Sequence, residues 1–262
     1  MSEIDPVKQT RSVLIESLQV LGAFKKGLII VGGWVPEIAF SGKGHIGSMD
    51  VDYAIDPREI PPYVYDTIKN RLLVAGYEQV DAGNVFFRDV GGLNPVKIDL
   101  ITGLDGEKSQ PATPVQGMLV SKLKGVEFAL DSWNEVEIHG AFPSGEENTI
   151  TAKVATIEAS ILMKSIALGE RKKEKDAYDI YFYLLHVTGG PAALARSVLK
   201  LPDTPVLREA IDIFRQKFKD EKHIGPCWAA RVVAESGGDE AIARTDAAAR
   251  AAMFLKALNI SR

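Results

Sequence analysis

Three aspartates in this 262-residue chain have the types and spacing that phosphate chemistry needs. Asp50 and Asp52 lie in the run Asp50-Val51-Asp52-Tyr53-Ala54-Ile55-Asp56. Acidic and apolar residues alternate there as on a β-strand, so both carboxylates face the same way. Asp99 belongs to a second alternating run, in which Val96, Ile98 and Leu100 share one face and Lys97, Asp99 and Ile101 the other. Hard carboxylate oxygens suit magnesium (or manganese), and magnesium keeps waters and substrate phosphates in its octahedron, so few protein ligands suffice. An ion held by Asp50, Asp52 and Asp99 would bridge phosphate oxygens and neutralise the charge that develops as a hydroxyl attacks a nucleoside triphosphate. Gly32-Gly33, directly after the apolar run Leu28-Ile29-Ile30-Val31, would let backbone N–H groups come close to triphosphate oxygens, with Ser48 adding a hydroxyl donor. Singly, each piece is common, since Asp-x-Asp occurs in solvated strands and Gly-Gly in ordinary turns. Their order along the chain is what points to nucleotidyl transfer.

The elements that must position these residues follow from periodicity. Val13, Leu14, Leu18, Leu21 and Phe24 recur at helical spacing over residues 6–24 and lead into a buried strand at 28–31. A short helix is expected at 34–40, with Pro36 tolerated in its first turn, then a loop at 41–44 and the aspartate strand at 50–56. A helix at 62–75 and short strands at 77–80, 85–89 and 96–101 complete this part. From residue 156 the pattern is almost wholly helical, at 157–168, 174–186, 192–201, 206–219, 228–235 and 241–258. The stretch Phe142-Pro143-Ser144-Gly145-Glu146-Glu147-Asn148 is the natural boundary. The expectation is an α+β (α/β) protein: a core domain over 1–145 with a mixed sheet flanked by helices, then a helical C-terminal domain over 146–262.

Composition narrows the function classes. A net charge of -4 and a pI of about 5.7 argue against non-specific coating of nucleic acid, which relies on many Lys and Arg contacts to phosphate. A localised basic groove is compatible with that balance, and Arg171-Lys172-Lys173-Glu174-Lys175 either meets phosphates or solvates a helix start. No apolar run is long enough for secretion or membrane insertion, so a cytoplasmic protein is expected. The single cysteine, Cys227, reads as a small core residue, because it has no partner for a disulfide or a zinc cluster. His139, His186 and His223 have no metal-ligand spacing and read as structural or surface residues. Neither a Gly-x-Ser-x-Gly elbow nor a Walker loop is present.

Downstream, Lys164 ends an apolar helix face, where its stem can pack while its ammonium reaches phosphates. Its replacement by alanine is expected to weaken nucleotide use while leaving folding nearly intact. Asp176 and Asp179 share a face in the first turns of the next helix. They would orient Lys164, contact the nucleotide or serve as a base, or else simply cap the helix and pair with Lys175 or Arg171.

Taken in order, Gly32-Gly33, Asp50-x-Asp52 and Asp99 resemble the signature of the polymerase-beta-like nucleotidyltransferase superfamily over residues 28–101. Glu158, Lys164, Arg171 and Lys175-Asp176-Ala177-Tyr178-Asp179 are similar to the motifs of its AbiEii/AbiGii toxin branch. The resemblance implies the nucleotidyltransferase fold and transfer of a nucleoside monophosphate from an NTP to an acceptor hydroxyl. It implies Asp50, Asp52 and Asp99 as metal ligands and catalytic acids, with Lys164, Asp176 and Asp179 beside them in catalysis. Gly32, Gly33, Ser48, Lys164 and Arg171 would then bind the nucleotide. An RNA or tRNA acceptor and a cognate antitoxin are implied as partners, within a toxin–antitoxin or phage-defence system. Two departures matter. Ile46 stands where the family usually has an arginine, with His45 or Lys43 as substitutes. Gly-Gly is followed by Trp34, as in antibiotic nucleotidyltransferases, which makes Trp34 a base-stacking platform or a core aromatic. An aminoglycoside or lincosamide acceptor, or a non-catalytic nucleotide-binding module of the same fold, are the alternatives.

Overall fold

The structure is a computed structural model and describes residues 5–80, 83–92, 94–104, 113–115 and 118–260. The chain forms two compact units, Met1–Ile38 with Gly47–Thr156, and Ala39–Ile46 with Ile157–Arg262.

The first unit opens with α1 (Pro6–Val20), whose start is fixed by Asp5: its carboxylate accepts from the Val7 backbone N–H at 2.9 Å. The elements that follow are β1 (Leu28–Val31), α2 (Trp34–Ala39), β2 (Asp50–Ile55), α3 (Tyr65–Val74), β3 (Glu78–Gln79), β4 (Val85–Arg88) and β5 (Val96–Thr102). Then come β6 (Thr113–Val115), β7 (Met118–Lys122), α4 (Val126–Asp131), β8 (Trp133–Ala141) and β9 (Glu147–Ala155). The strands make a mixed sheet of order β3-β4-β5-β2-β1-β9-β8, with β7 joining the end of β5 and β6 pairing with β7. β2 runs parallel to β5 and antiparallel to β1, and β1 runs parallel to β9.

β1 is buried at every position, as expected of a four-residue apolar strand with a neighbour on each side. On one face of the sheet Val51, Tyr53, Ile98, Leu100 and Phe86 are fully buried, together with Leu14 and Ile15 of α1. Each such side chain contributes about 1.5–3 kcal/mol by leaving water. The Tyr53 hydroxyl in this layer is paired with the Ser17 hydroxyl at 2.7 Å, so the core holds no orphan there.

The turn-rich stretch at 142–148 closes a long hairpin. Phe142 donates its N–H to the Glu146 carbonyl at 2.8 Å, and Gly145 supplies a φ of +90°. β9 then returns to the centre of the sheet beside β1, and the unit ends at Thr156. Pro, Ser and Gly mark any turn, and composition alone does not tell a hairpin from a boundary between units.

The second unit is helical: α5 (Ile157–Glu170), α6 (Glu174–His186), α7 (Gly190–Val198), α8 (Pro205–Lys217), α9 (Ile224–Glu235) and α10 (Glu240–Ile260). Its core includes Phe214, Phe218 and Phe254, with the first two rings stacked at 4.9 Å. Residues 39–46 belong to this unit. Phe40 lies 6.0 Å from the Phe182 ring and 5.9 Å from His186, and Ile46 packs against the buried group Tyr178, Phe182 and Val232. The expected mixed sheet flanked by helices, followed by a helical C-terminal part, is therefore what the chain forms. Cys227 differs from expectation in being only partly buried. No helix among the described residues is long and apolar enough to cross a membrane.

Candidate functional site: an acidic strand face and a buried lysine cluster

In the first unit, parallel pairing of β2 with β5 sets Asp50 beside Lys97 and Asp52 beside Asp99. Alternation leaves all four side chains on the same face of two neighbouring strands, while Val51, Ile98 and Leu100 anchor the other face in the core. Asp50, Asp52 and Asp99 are thus brought onto one surface, from stretches of chain almost fifty residues apart.

Gly32 has a role here that the sequence did not reveal. β1 pairs Val31 with Asp52, so the chain leaves the strand directly beside the Asp52 side chain. A Cβ on Gly32 would lie 2.0 Å from Asp52 Oδ2, and its φ is +71°. Only glycine accepts both conditions, and in this structure its missing side chain is the seat of the Asp52 carboxylate. Trp34, just beyond, is wholly buried, and its indole N–H has no hydrogen-bond partner among the described residues. It is a core aromatic and not a platform for a base. Ser48 is also buried, and its hydroxyl donates to the Asp50 carbonyl at 3.0 Å, bracing the entry to β2.

Lys97 contributes a cation to this face. It forms an ion pair with Asp99. Partial burial pulls its pKa down, but the bond to Asp99 and the fields of Asp99, Asp50 and Asp52 outweigh this, and the ammonium is held above its ordinary range. The three carboxylates have the donor chemistry that a divalent ion takes. Among the described residues no three His, Cys, Asp or Glu side chains are grouped so that they could hold a metal ion.

The other polar group lies wholly in the second unit. Lys164, on α5, is buried and meets Asp176 at 2.9 Å and Asp179 at 2.7 Å, both on α6 and both fully buried. Arg171 reaches Asp176 with two donors, at 2.8 and 3.0 Å, and Lys175 lies 3.6 Å from Asp179. His45 approaches Asp179 at 3.0 Å, with its ring 5.4 Å from Tyr178 and 4.8 Å from Phe182. The Ile46 N–H donates to the Tyr178 hydroxyl at 3.3 Å. Burial opposes ionisation of Asp176 and Asp179, yet the adjacent cations, Lys164 first, hold both well below the usual carboxylate range. Lys164 is likewise raised, since the two carboxylates overcome its desolvation.

These contacts change what Lys164→Ala would do. Removing the lysine takes from two fully buried carboxylates their shared cation, leaving Asp176 with Arg171 and Asp179 with His45 and Lys175, so a loss of stability is expected where the sequence suggests nearly intact folding. Sequence reasoning missed Lys97 and undervalued His45. For Lys97 a signal existed, since its alternation places it on the face of Asp99. For His45 the sequence offered only its place beside the missing family arginine, and its partner Asp179 lies more than a hundred residues on.

No protein-family model matches the sequence, and no curated protein is significantly similar to it. Among solved structures, the chain resembles JHP933 from Helicobacter pylori at a TM-score of 0.50, with 12% identity over 99% of this chain and 96% of that one. A putative nucleotidyltransferase from H. pylori aligns more loosely, at a TM-score of 0.48, with 12% identity over 99% of each chain. The nucleotidyltransferase toxin MenT4 (Rv2826c) from Mycobacterium tuberculosis H37Rv is looser again, at 0.40, with 14% identity over 97% of this chain and 82% of that one. At such identities the likeness to JHP933 is one of fold.

Proposed function

We propose that the chain is a divalent-metal-dependent nucleotidyltransferase whose acceptor is RNA, with a tRNA 3′ end as the preferred class and a neutralising antitoxin as its protein partner. The observation that carries the chemistry is the face shared by Asp50, Asp52 and Asp99, with Gly32 left bare to seat Asp52. Asp50, Asp52 and Asp99 would hold magnesium or manganese, which supplies charge neutralisation at the phosphates of a bound NTP. The acceptor hydroxyl forms a bond to the α-phosphorus while the bond from that phosphorus to the bridging oxygen breaks, releasing pyrophosphate. The proton of the hydroxyl is taken up by a carboxylate of the trio. Ser48 and Gly32 act by position, the first bracing the strand entry and the second admitting the carboxylate.

An RNA acceptor is supported by the resemblance of the segment from Glu158 to Asp179 to the toxin branch and by the exposed Arg171, Lys172 and Lys173, which suit phosphate contacts despite the acidic whole. Within that segment Lys164, Asp176 and Asp179 form the buried frame from which the basic run is presented.

Incubation of the full chain with each labelled NTP, magnesium and either total RNA or an aminoglycoside panel tests this. Label in RNA that disappears with Asp52→Asn is the expected result. Label in the aminoglycosides instead would replace the acceptor, and no transfer to any acceptor would sink the enzymatic reading.

A further inference from the structure

The aspartate face carries its own cation. Asp50 and Lys97 are register partners, as are Asp52 and Asp99, and Lys97 bridges along β5 to Asp99. Asp99 is half-sheltered, at 18% side-chain exposure, and Lys97 is at 33%, so neither charge is fully screened by water. The ammonium engages the one acid of the trio that comes from β5.

We propose that Lys97 is the resident counter-ion of the acidic face. Its ammonium occupies Asp99 in place of a divalent cation, so the bare protein holds that ion weakly and takes it up together with a nucleoside triphosphate. The triphosphate supplies the extra oxygen ligands and negative charge that the partly neutralised trio lacks. Lys97 thereby ties metal occupancy to substrate. This rests on the reading of Asp50, Asp52 and Asp99 as metal ligands.

Direct Mn2+ binding to the full-length protein, followed by the paramagnetic resonance signal of free Mn2+, tests it without any turnover. The K97M variant keeps the stem and removes the charge, and K97R keeps the charge. Without nucleotide, K97M is expected to bind Mn2+ at least about tenfold more tightly than the wild type, with K97R close to the wild type. With a non-hydrolysable NTP analogue, the wild type should gain far more than K97M, closing most of the gap. K97Q gives the same comparison should K97M fail to fold by circular dichroism. Equal Mn2+ affinity in wild type and K97M, weaker binding in K97M, or K97R as tight as K97M would each overturn the role of Lys97 while leaving a metal site in place. No Mn2+ binding by any form, with or without the analogue, would overturn both the role and the metal site beneath it.

Discussion

The two polar groups treat charge in opposite ways. Around Lys164 every buried charge has partners: Asp176 and Asp179 are enclosed by Lys164, Arg171, Lys175 and His45, and burial is tolerated because the compensation is dense. On the strands, three aspartates share a partly exposed face with Lys97 as the cation that the structure pairs there. The first arrangement is that of a group that holds helices together. The second presents carboxylates on a partly exposed face, which under the proposed function would meet a cation. Buried and open polar clusters can look alike in sequence, and burial is what separates these two.

The comparison is sharpest where one variant unfolds the protein and another only silences it. Lys164→Ala should lower stability in urea by about 3–5 kcal/mol, because two buried carboxylates lose their common partner. Asp52→Asn should leave the urea midpoint nearly unchanged while transfer falls about a thousandfold or more, corresponding to the several kcal/mol a bound ion supplies. If Lys164→Ala folds as well as the wild type, the contrast collapses.

Gly32→Ala joins the two effects. It forces alanine to a φ of +71° and drives its Cβ into Asp52 Oδ2. A cost of about 1–3 kcal/mol in chemical denaturation, accompanied by lost transfer, is expected. A variant that stays active would show that the Asp52 seat is not needed.

Acid should attack the buried cluster. Asp176 and Asp179 ionise more readily in the folded chain than in the unfolded one, so their contribution is present above the unfolded value, near pH 4, and is lost as pH falls through the lowered folded values. Lys164 is raised, so its contribution is present below its unfolded value, near pH 10, and is lost as pH rises through the higher folded one. Urea midpoints should therefore be flat between these limits and fall on the acid side. Asp176→Asn should show a shallower acid limb, and an unchanged limb would remove Asp176 from the account.

The smallest effect belongs to Ser48→Ala. Losing one hydrogen bond to the Asp50 carbonyl should cost about 1 kcal/mol in stability. Since the hydroxyl faces the chain, KM for NTP should move little, and a large KM rise would return Ser48 to the phosphates.

Much of the strand site was legible because its logic is local. A period of two put Asp50 with Asp52 and Asp99 with Lys97, and apolar neighbours fixed which face is buried. The α6 helix was read at its full extent, Glu174–His186, from its periodicity. What could not be read depends on which strands become neighbours. The seat that Gly32 makes for Asp52 exists only because β1 lies antiparallel to β2, and β9 was hidden behind a turn whose composition resembles a linker. The burial of Lys164 was likewise invisible, since a lysine at the end of an apolar face reads equally well as exposed.

Residues 39–46 have a consequence for inheritance. The helical unit is completed by a short stretch that precedes most of the sheet in the gene, contributing Phe40, His45 and Ile46 to its interior. Recombination that exchanged everything after Thr156 would import six helices without Phe40 and Ile46, which pack against them, and without His45, one of the partners of Asp179. Such a hybrid is expected to be less stable than one that also carries the matching upstream segment. Distant relatives should therefore vary these two stretches together, as a single heritable block written in two places.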